Sequence, residues 1–234
     1  MIVALIPGRG GAERIPRKNL RPLGGRPLLA WTIQAALDAG LPAFVSTEDG
    51  EVAEFAVELG AGIIPCPLSV AHKARDPDIL WVRHALERVA CTAFVILRAT
   101  SPFRSAETVA RGLTEWARMG ESADSMRAVR RATEHPAKQW EIRGSGYMTP
   151  VMAGETDDVP WHSRPTQSLS PVYVQTAGME VAWRGTVERF GTISRPLGRQ
   201  GAARSQCRCL GHRDDVLHEA VAADRHDATG DGLP

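Results

Sequence analysis

The chain opens on a buried-strand pattern that stops at a loop almost bare of side chains. Residues 2–6 (Ile-Val-Ala-Leu-Ile) are an unbroken apolar run, Pro7 ends it, and Gly8, Gly10 and Gly11 follow with Arg9 among them. A short strand that is apolar on both faces belongs inside a sheet covered on both sides. Glycines at its exit let backbone N–H groups approach an anion closely and point at it. Arg9, Arg14, Arg17 and Lys18 put positive charge around the same loop. Strand, bare loop and cations together make a triphosphate site the first functional expectation. Two familiar glycine loops are excluded. Glu13 stands where a dinucleotide fingerprint needs its last glycine, and no Gly-Lys-Ser/Thr follows to make a P-loop.

The remaining periodicity supports an α/β reading. Apolar spacing predicts helices over residues 27–39, 51–59, 78–89 and 105–119, with Gly40 and Gly60 closing the first two and Ser105 capping the last. Strands are predicted over 43–46, 61–64 and 93–97. This alternation argues a doubly wound, mostly parallel sheet. The order changes after Asp124. Strand patterns at 125–130 and 139–143 lie among turns rich in Pro, Gly and Asp that run to Pro171, so 125–171 reads as an insertion with a small β element. Strand character returns over 172–183, broken around Ala177-Gly178, and 185–190 reads as a short helix or turn. The predicted organisation is therefore a core of 1–124 and 172–194, an insertion of 125–171, and a tail of 195–234.

In that tail apolar periodicity thins, and only 214–223 looks helical. It does not look like a segment returning a strand to the sheet. Disorder is the physical reading, and a shifted reading frame after Ser194 is the other.

Composition bounds the rest. At 234 residues and 43% hydrophobic content, one large domain, or one domain with an insertion, can bury a core. A net charge of +1 gives no case for a nucleic-acid partner or an anionic membrane. No run is long enough to span a bilayer and the start lacks a signal-peptide pattern, so a cytoplasmic location is expected. Cys66 and Cys91 sit in or beside apolar runs and read as inert core residues. Cys207-Arg-Cys209 with His212 lacks both a standard zinc spacing and a second pair.

Several blocks in order carry a resemblance: IPGRGGAERIPRKNLRPLGGRPLLAWTI, VSTEDGEVAEFAVELGA, LRATSPFR, EHPAKQW and SRPTQSLSPVYVQTAGMEVAW. Over residues 1–194 the chain resembles the acylneuraminate cytidylyltransferases, the CMP-sialic acid synthetase family. The resemblance implies a Rossmann-like fold of the nucleotide-diphospho-sugar transferase type. It implies transfer of CMP from CTP to a sialic-acid-like 2-keto acid sugar, release of pyrophosphate, Mg²⁺ on the phosphates, and a role in cell-surface glycan synthesis. It also implies a homodimer formed through the insertion. Carried over by position, Arg9 and Lys18 become the catalytic cations. Gly8, Gly10, Gly11 and Asn19 join them in nucleotide binding. Ser101 and Arg104 belong to the block beside the sugar, and Arg98 stands where the family has glutamine. Arg164 and Gln167 match the block that meets the sugar carboxylate, where an Arg fork is the fitting chemistry. Tyr173, Gln175 and Thr176 line the strand that follows.

Departures from the family pattern touch phosphate and metal handling. Ala12-Glu13 replaces Ser-Lys in the loop, Cys66 replaces an arginine, and Val70-Ala71-His72-Lys73 replaces Leu-Ala-x-Asp. The Asp-Ile-Asp metal segment expected after Ser194 has no match. Asp214 and Asp215 are the nearest carboxylate pair, and sequence neighbours point apart. The rival reading is a catalytically impaired nucleotide- or sugar-binding relative. A third is a nucleotidyltransferase for another sugar or base.

Overall fold

The computed structural model describes residues 1–11, 15–70, 76–142, 144, 146–152 and 159–194, together with the backbone of 207–210. The chain divides into two compact units, Met1–Ala128 with Thr176–Pro234, and Val129–Gln175.

The first unit is built on a mostly parallel sheet. The strands of that sheet are β1 (Ile2–Pro7), β4 (Ala43–Thr47), β5 (Gly62–Pro65), β6 (Ala93–Ile96), β7 (Ser125–Arg131), β10 (Tyr173–Trp183) and β11 (Cys207–Leu210), in the order β11-β7-β10-β6-β1-β4-β5, with the last residues of β7 and the first of β10 counted in the second unit. A two-residue ladder, β2 (Pro22–Leu23) with β3 (Arg26–Pro27), precedes the first helix. β1 pairs in parallel with both β4 and β6, β4 with β5, and β7 with β11, whereas β10 runs antiparallel to β6. The helices are α1 (Leu28–Asp38), α2 (Gly50–Glu58), α3 (Ile79–Leu86), α4 (Ala106–Met119) and α5 (Arg184–Phe190).

Side chains alternate across a strand, so a wholly apolar strand feeds two cores. On one face Ala4 and Ile6 of β1 join Leu29, Ile33, Val52, Val109 and Trp116 from α1, α2 and α4. On the other, Val3 and Leu5 join Trp81, Val82 and Val187 from α3 and α5. Residues 3–6 are 0% exposed, which accounts for the unbroken apolar run. Ser105 caps α4, accepting from the Thr108 amide at 3.3 Å, as its position predicted.

Strand order turns at β1. The chain moves outward through β4 and β5, then returns to place β6 on the other side of β1. In open α/β sheets such a switch leaves a crevice beyond the carboxyl ends of the strands, and ligands bind there.

Two expectations need correction. β10 is continuous through Ala177-Gly178. A Cβ on Gly178 would lie 3.2 Å from Thr176 Oγ1 and 3.5 Å from Ala128 Cβ, so the glycine serves close approach, not a break. The tail does return a strand, because Cys207–Leu210 pairs in parallel with β7 at the sheet edge. The rest of the tail, including the helix expected over 214–223, His212 and the pair Asp214 and Asp215, lies outside the described residues.

The second unit holds an antiparallel hairpin, β8 (Trp140–Ile142) and β9 (Met148–Pro150), with Ile142 opposite Met148. Three single-turn helices accompany it, Pro136–Lys138, Trp161–Ser163 and Thr166–Ser168. Lys138 Nζ donates to the His162 carbonyl at 2.7 Å and also to that of Arg164, fastening the two blocks that sequence resemblance had picked out. His135 is buried, its Nδ1 accepting from the Ala137 amide at 3.1 Å and its Nε2 meeting the Ser170 carbonyl at 3.0 Å. Among the described residues no helix is long and apolar enough to cross a membrane.

Candidate functional site

A cleft of about 150 Å³ opens at the switch point. Pro7 and Arg9 reach it from the end of β1, Ser46 and Glu48 from β4, Cys66 from β5, and Arg98, Ala99 and Thr100 from β6. Lys18 and Asn19 close one side and Asp78 and Trp81 of the α3 segment another. The parallel strands end together, and this brings residues almost a hundred positions apart into one wall.

The glycine loop divides its work. Gly8 is buried, and its amide donates to the Ser46 carbonyl at 2.9 Å. A Cβ there would lie 2.6 Å from Val45 Cγ1. Gly8 therefore extends the sheet and does not offer its amide to a phosphate, correcting the expectation for that position. Gly10 and Gly11 do present amides to an anion, and the anion is the protein's own: both point at Glu48 Oε1, at 2.9 and 3.5 Å. Asn19 is 4% exposed, and its side-chain amide holds the Arg9 carbonyl at 2.7 Å, fixing the loop's shape. Arg17, which precedes Lys18, sits at φ 53° and pairs with Glu51. A left-handed non-glycine residue costs about 1–2 kcal/mol, and here it turns the chain so that Lys18 enters the cleft wall. Glu13, the expected anionic departure, lies outside the described residues, as do Arg14 and residues 71–73.

The two arginines of the LRATSPFR block have different fates. Arg98 lines the cleft and bridges two carboxylates, Glu180 at 2.7 Å and Asp78. Burial works against its charge, but the Glu180 and Asp78 carboxylates outweigh it and raise its pKa. Glu180 is 2% exposed and also meets Arg127 at 3.1 Å. Arg104 is 8% exposed and turned inward. It donates to the Gly178 carbonyl at 2.7 Å, to the Arg98 carbonyl and to Thr32. Burial, then repulsion from Arg98, lower its pKa to about 10, so it remains charged at neutral pH. The expected contact of Arg104 with substrate is thus replaced by a structural one, holding β10 to the segment after β6. Ser101 shapes the same turn through its carbonyl, which accepts from the Arg104 amide at 3.3 Å.

Cys66 is buried at 7% exposure, in line with its apolar surroundings, and it also forms part of the cleft wall. Burial raises its pKa against an opposing hydrogen bond with Ser46, so it stands as a thiol. Thr176 in the first unit donates to the Ala128 carbonyl at 3.1 Å. Arg164, Gln167, Tyr173 and Gln175 belong to the second unit, where Arg164 Nε donates to the Val159 carbonyl at 2.9 Å and Gln167 and Gln175 are exposed.

A magnesium site needs converging oxygens. Among the described residues no three His, Cys, Asp or Glu side chains converge. The two cleft carboxylates are committed, Glu48 to amides, and Asp78 to Arg98 and to Trp81 Nε1 at 3.0 Å. The described residues do not fit a protein-held cation.

Sequence reasoning missed Glu48, Asp78 and Trp81. The available signal was position: each lies at or just beyond the carboxyl end of a predicted strand, or at the start of the next helix.

Residues 3–133, more than half of the chain, match the Cytidylyltransferase family. The chain is 38% identical over 117 residues to the CMP-N,N'-diacetyllegionaminic acid synthase of Legionella pneumophila, covering 46% of this chain and 50% of that protein. It is 24% identical over 223 residues to an N-acylneuraminate cytidylyltransferase of Streptococcus agalactiae, covering 92% of this chain and 52% of that one. The chain therefore spans about half the length of these relatives. A solved CMP:2-keto-3-deoxy-manno-octonic acid synthetase, complexed with CTP, shares the fold with a TM-score of 0.60 at 15% identity, over 84% of this chain and 79% of that one. A 4-diphosphocytidyl-2C-methyl-D-erythritol synthase from Anaerococcus prevotii does so at 0.57 and 11%, over 94% of each.

Proposed function

The chain belongs to the cytidylyltransferase family, and from that premise we propose that it transfers CMP from CTP to a sialic-acid-like 2-keto acid sugar with release of pyrophosphate. The observation that carries this reading is the pair of Gly10 and Gly11 amides aimed at an anion in a cleft that Arg9 and Lys18 also line. The relatives' substrates supply the sugar class.

Chemically, the sugar's anomeric hydroxyl attacks the α-phosphate, and pyrophosphate leaves. Transfer at phosphorus needs little covalent chemistry from protein, so positioning and charge stabilisation do most of the work. Gly10 and Gly11 would orient the phosphates through their amides. Arg9 and Lys18 would stabilise charge that gathers on the leaving pyrophosphate. Arg98 would face the acid substrate from the end of β6, held by Glu180. In the second unit, the resemblance assigns Arg164 and Gln167 to the sugar carboxylate and Tyr173 and Gln175 to substrate binding, as it does Thr176 in the first.

We further propose a homodimer. In the second unit Ile142 is 73% exposed, Tyr147 79%, Met148 58% and Val151 58%. So much exposed apolar surface on one small hairpin favours association. Sedimentation velocity tests it: a dimer is expected, and a concentration-independent monomer contradicts it.

The activity is tested by incubating the protein with CTP, Mg²⁺ and a panel of eight- and nine-carbon keto acid sugars. Stoichiometric pyrophosphate and CMP-sugar are expected with at least one. CTP binding without turnover across the panel would leave the impaired-relative reading instead.

A further inference from the structure

The cleft already contains an anion. Glu48 follows the last residue of β4, and the turn there is fixed by the Asp49 amide, which donates to Thr47 Oγ1 at 3.0 Å. One carboxylate oxygen of Glu48 receives both loop amides, Gly10 at 2.9 Å and Gly11 at 3.5 Å. Successive N–H groups turned toward one point form an anion-binding concavity. A carboxylate oxygen in that position stands where a phosphate oxygen would.

The neighbouring acid cannot exchange with it. Asp49 Oδ1 accepts from the Val52 amide at 3.1 Å and caps α2. A Cβ on Gly10 would come within 2.0 Å of Asp49 Oδ2, so the loop is packed against a carboxylate that stays in place. Glu48 is only half-buried, and its side chain has the length to leave the concavity while its backbone stays in the turn.

We propose that Glu48 is a built-in surrogate for phosphate, which holds the loop in its anion-ready shape and must be displaced by the phosphates of the incoming nucleotide. This rests on the phosphate placement in the proposed function and deepens it. Two consequences follow from electrostatics. A ligand with a single weak charge cannot compete well with a tethered carboxylate, so the site favours polyanions. Displacement also leaves Glu48 beside the bound phosphates, and like charges at close range repel. Binding is therefore weaker than the amides and cations alone would give, and removing the carboxylate strengthens it.

The test titrates wild type, Glu48→Gln and Glu48→Ala by calorimetry, first with tripolyphosphate in EDTA and then with CTP and Mg²⁺. Both variants are expected to bind tripolyphosphate more tightly, Glu48→Ala by about tenfold, the ratio that 1.4 kcal/mol represents. Glu48→Gln should gain less, because it keeps a neutral acceptor for the two amides. A Glu48 that merely braces the loop predicts the opposite sign. Unchanged or weaker tripolyphosphate binding in the variants overturns the proposal, as does no binding by any of the three proteins. If Glu48→Ala does not fold, Glu48→Gln decides alone by the sign of its change. The CTP arm keeps the two readings apart. If the variants gain tripolyphosphate affinity while CTP binds no better than tripolyphosphate, the surrogate role stands and the cytidine assignment falls.

Discussion

β6 and β8 are both short strands with mostly apolar side chains, and their surroundings could hardly differ more. Every residue of Ala93–Ile96 is buried, with strands on both sides and helices over both faces. All three residues of Trp140–Ile142 are exposed, and among the described residues β8 pairs with one strand, β9. An apolar run states only that a surface should be covered. In β6 the chain supplies that cover within its own unit; among the described residues β8 is left exposed. The first unit is thus stabilised by burial and the second by local hydrogen bonds such as those of Lys138 and His135.

The sharpest way to break this contrast is a pair of truncations. Phe94→Ala should cost about 3–5 kcal/mol in urea unfolding, the range for deleting a buried aromatic. Ile142→Ala should change monomer stability by no more than about 0.5 kcal/mol, while shifting any monomer–dimer equilibrium toward monomer. Equal losses would show that the hairpin has its own core.

Next in size is Arg98→Ala. It would leave Glu180, 2% exposed, without its partner at 2.7 Å. Breaking a buried pair from one side costs about 3–5 kcal/mol; Arg98 is partly exposed and Arg127 remains on Glu180, so the lower end is expected from thermal or urea denaturation.

Ligand binding should divide along the same line between units. Lys18→Ala is expected to weaken CTP binding by about tenfold, equivalent to 1.4 kcal/mol, whereas Arg164→Ala should affect the sugar more than CTP. Calorimetric titration of both ligands checks this, and the reverse order would remove Arg164 from the sugar site.

The smallest effect is in acid. His84 is 7% exposed, and burial, reinforced by Arg88 and opposed by Glu87, lowers its pKa below 6.5. The folded state then binds fewer protons than the unfolded one, so this contribution is complete above the unfolded pKa and is lost as pH falls through the folded one. His84→Gln should flatten that part of the stability–pH curve, and an unchanged slope would place the titration elsewhere.

Much of the first unit was legible because its signals are local and agree. Residues 2–6 alternate between two faces that both need apolar cover, Gly40 and Gly60 end helices where φ is positive, and Ser105 caps α4. Gly178 misled because a glycine in a strand signals either a break or a close neighbour, and only the third dimension reveals Ala128 beside it. The cleft was half legible. Arg9, Lys18, Asn19 and Arg98, singled out in the sequence, line it. Glu48 and Asp78 were hidden because their roles come from strands ending side by side, a relation with no period in sequence. Arg104 shows the converse: its motif was visible, but sequence alone could not show that carbonyls of β10 would claim its guanidinium.

The most direct measurement is an amide ¹H–¹⁵N spectrum of the full chain titrated with CTP. Saturable shifts of the Gly10 and Gly11 resonances are expected, with Gly144 and Gly146 of the second unit unmoved by CTP alone. Saturable binding that leaves Gly10 and Gly11 in place would put the phosphates elsewhere and contradict the account.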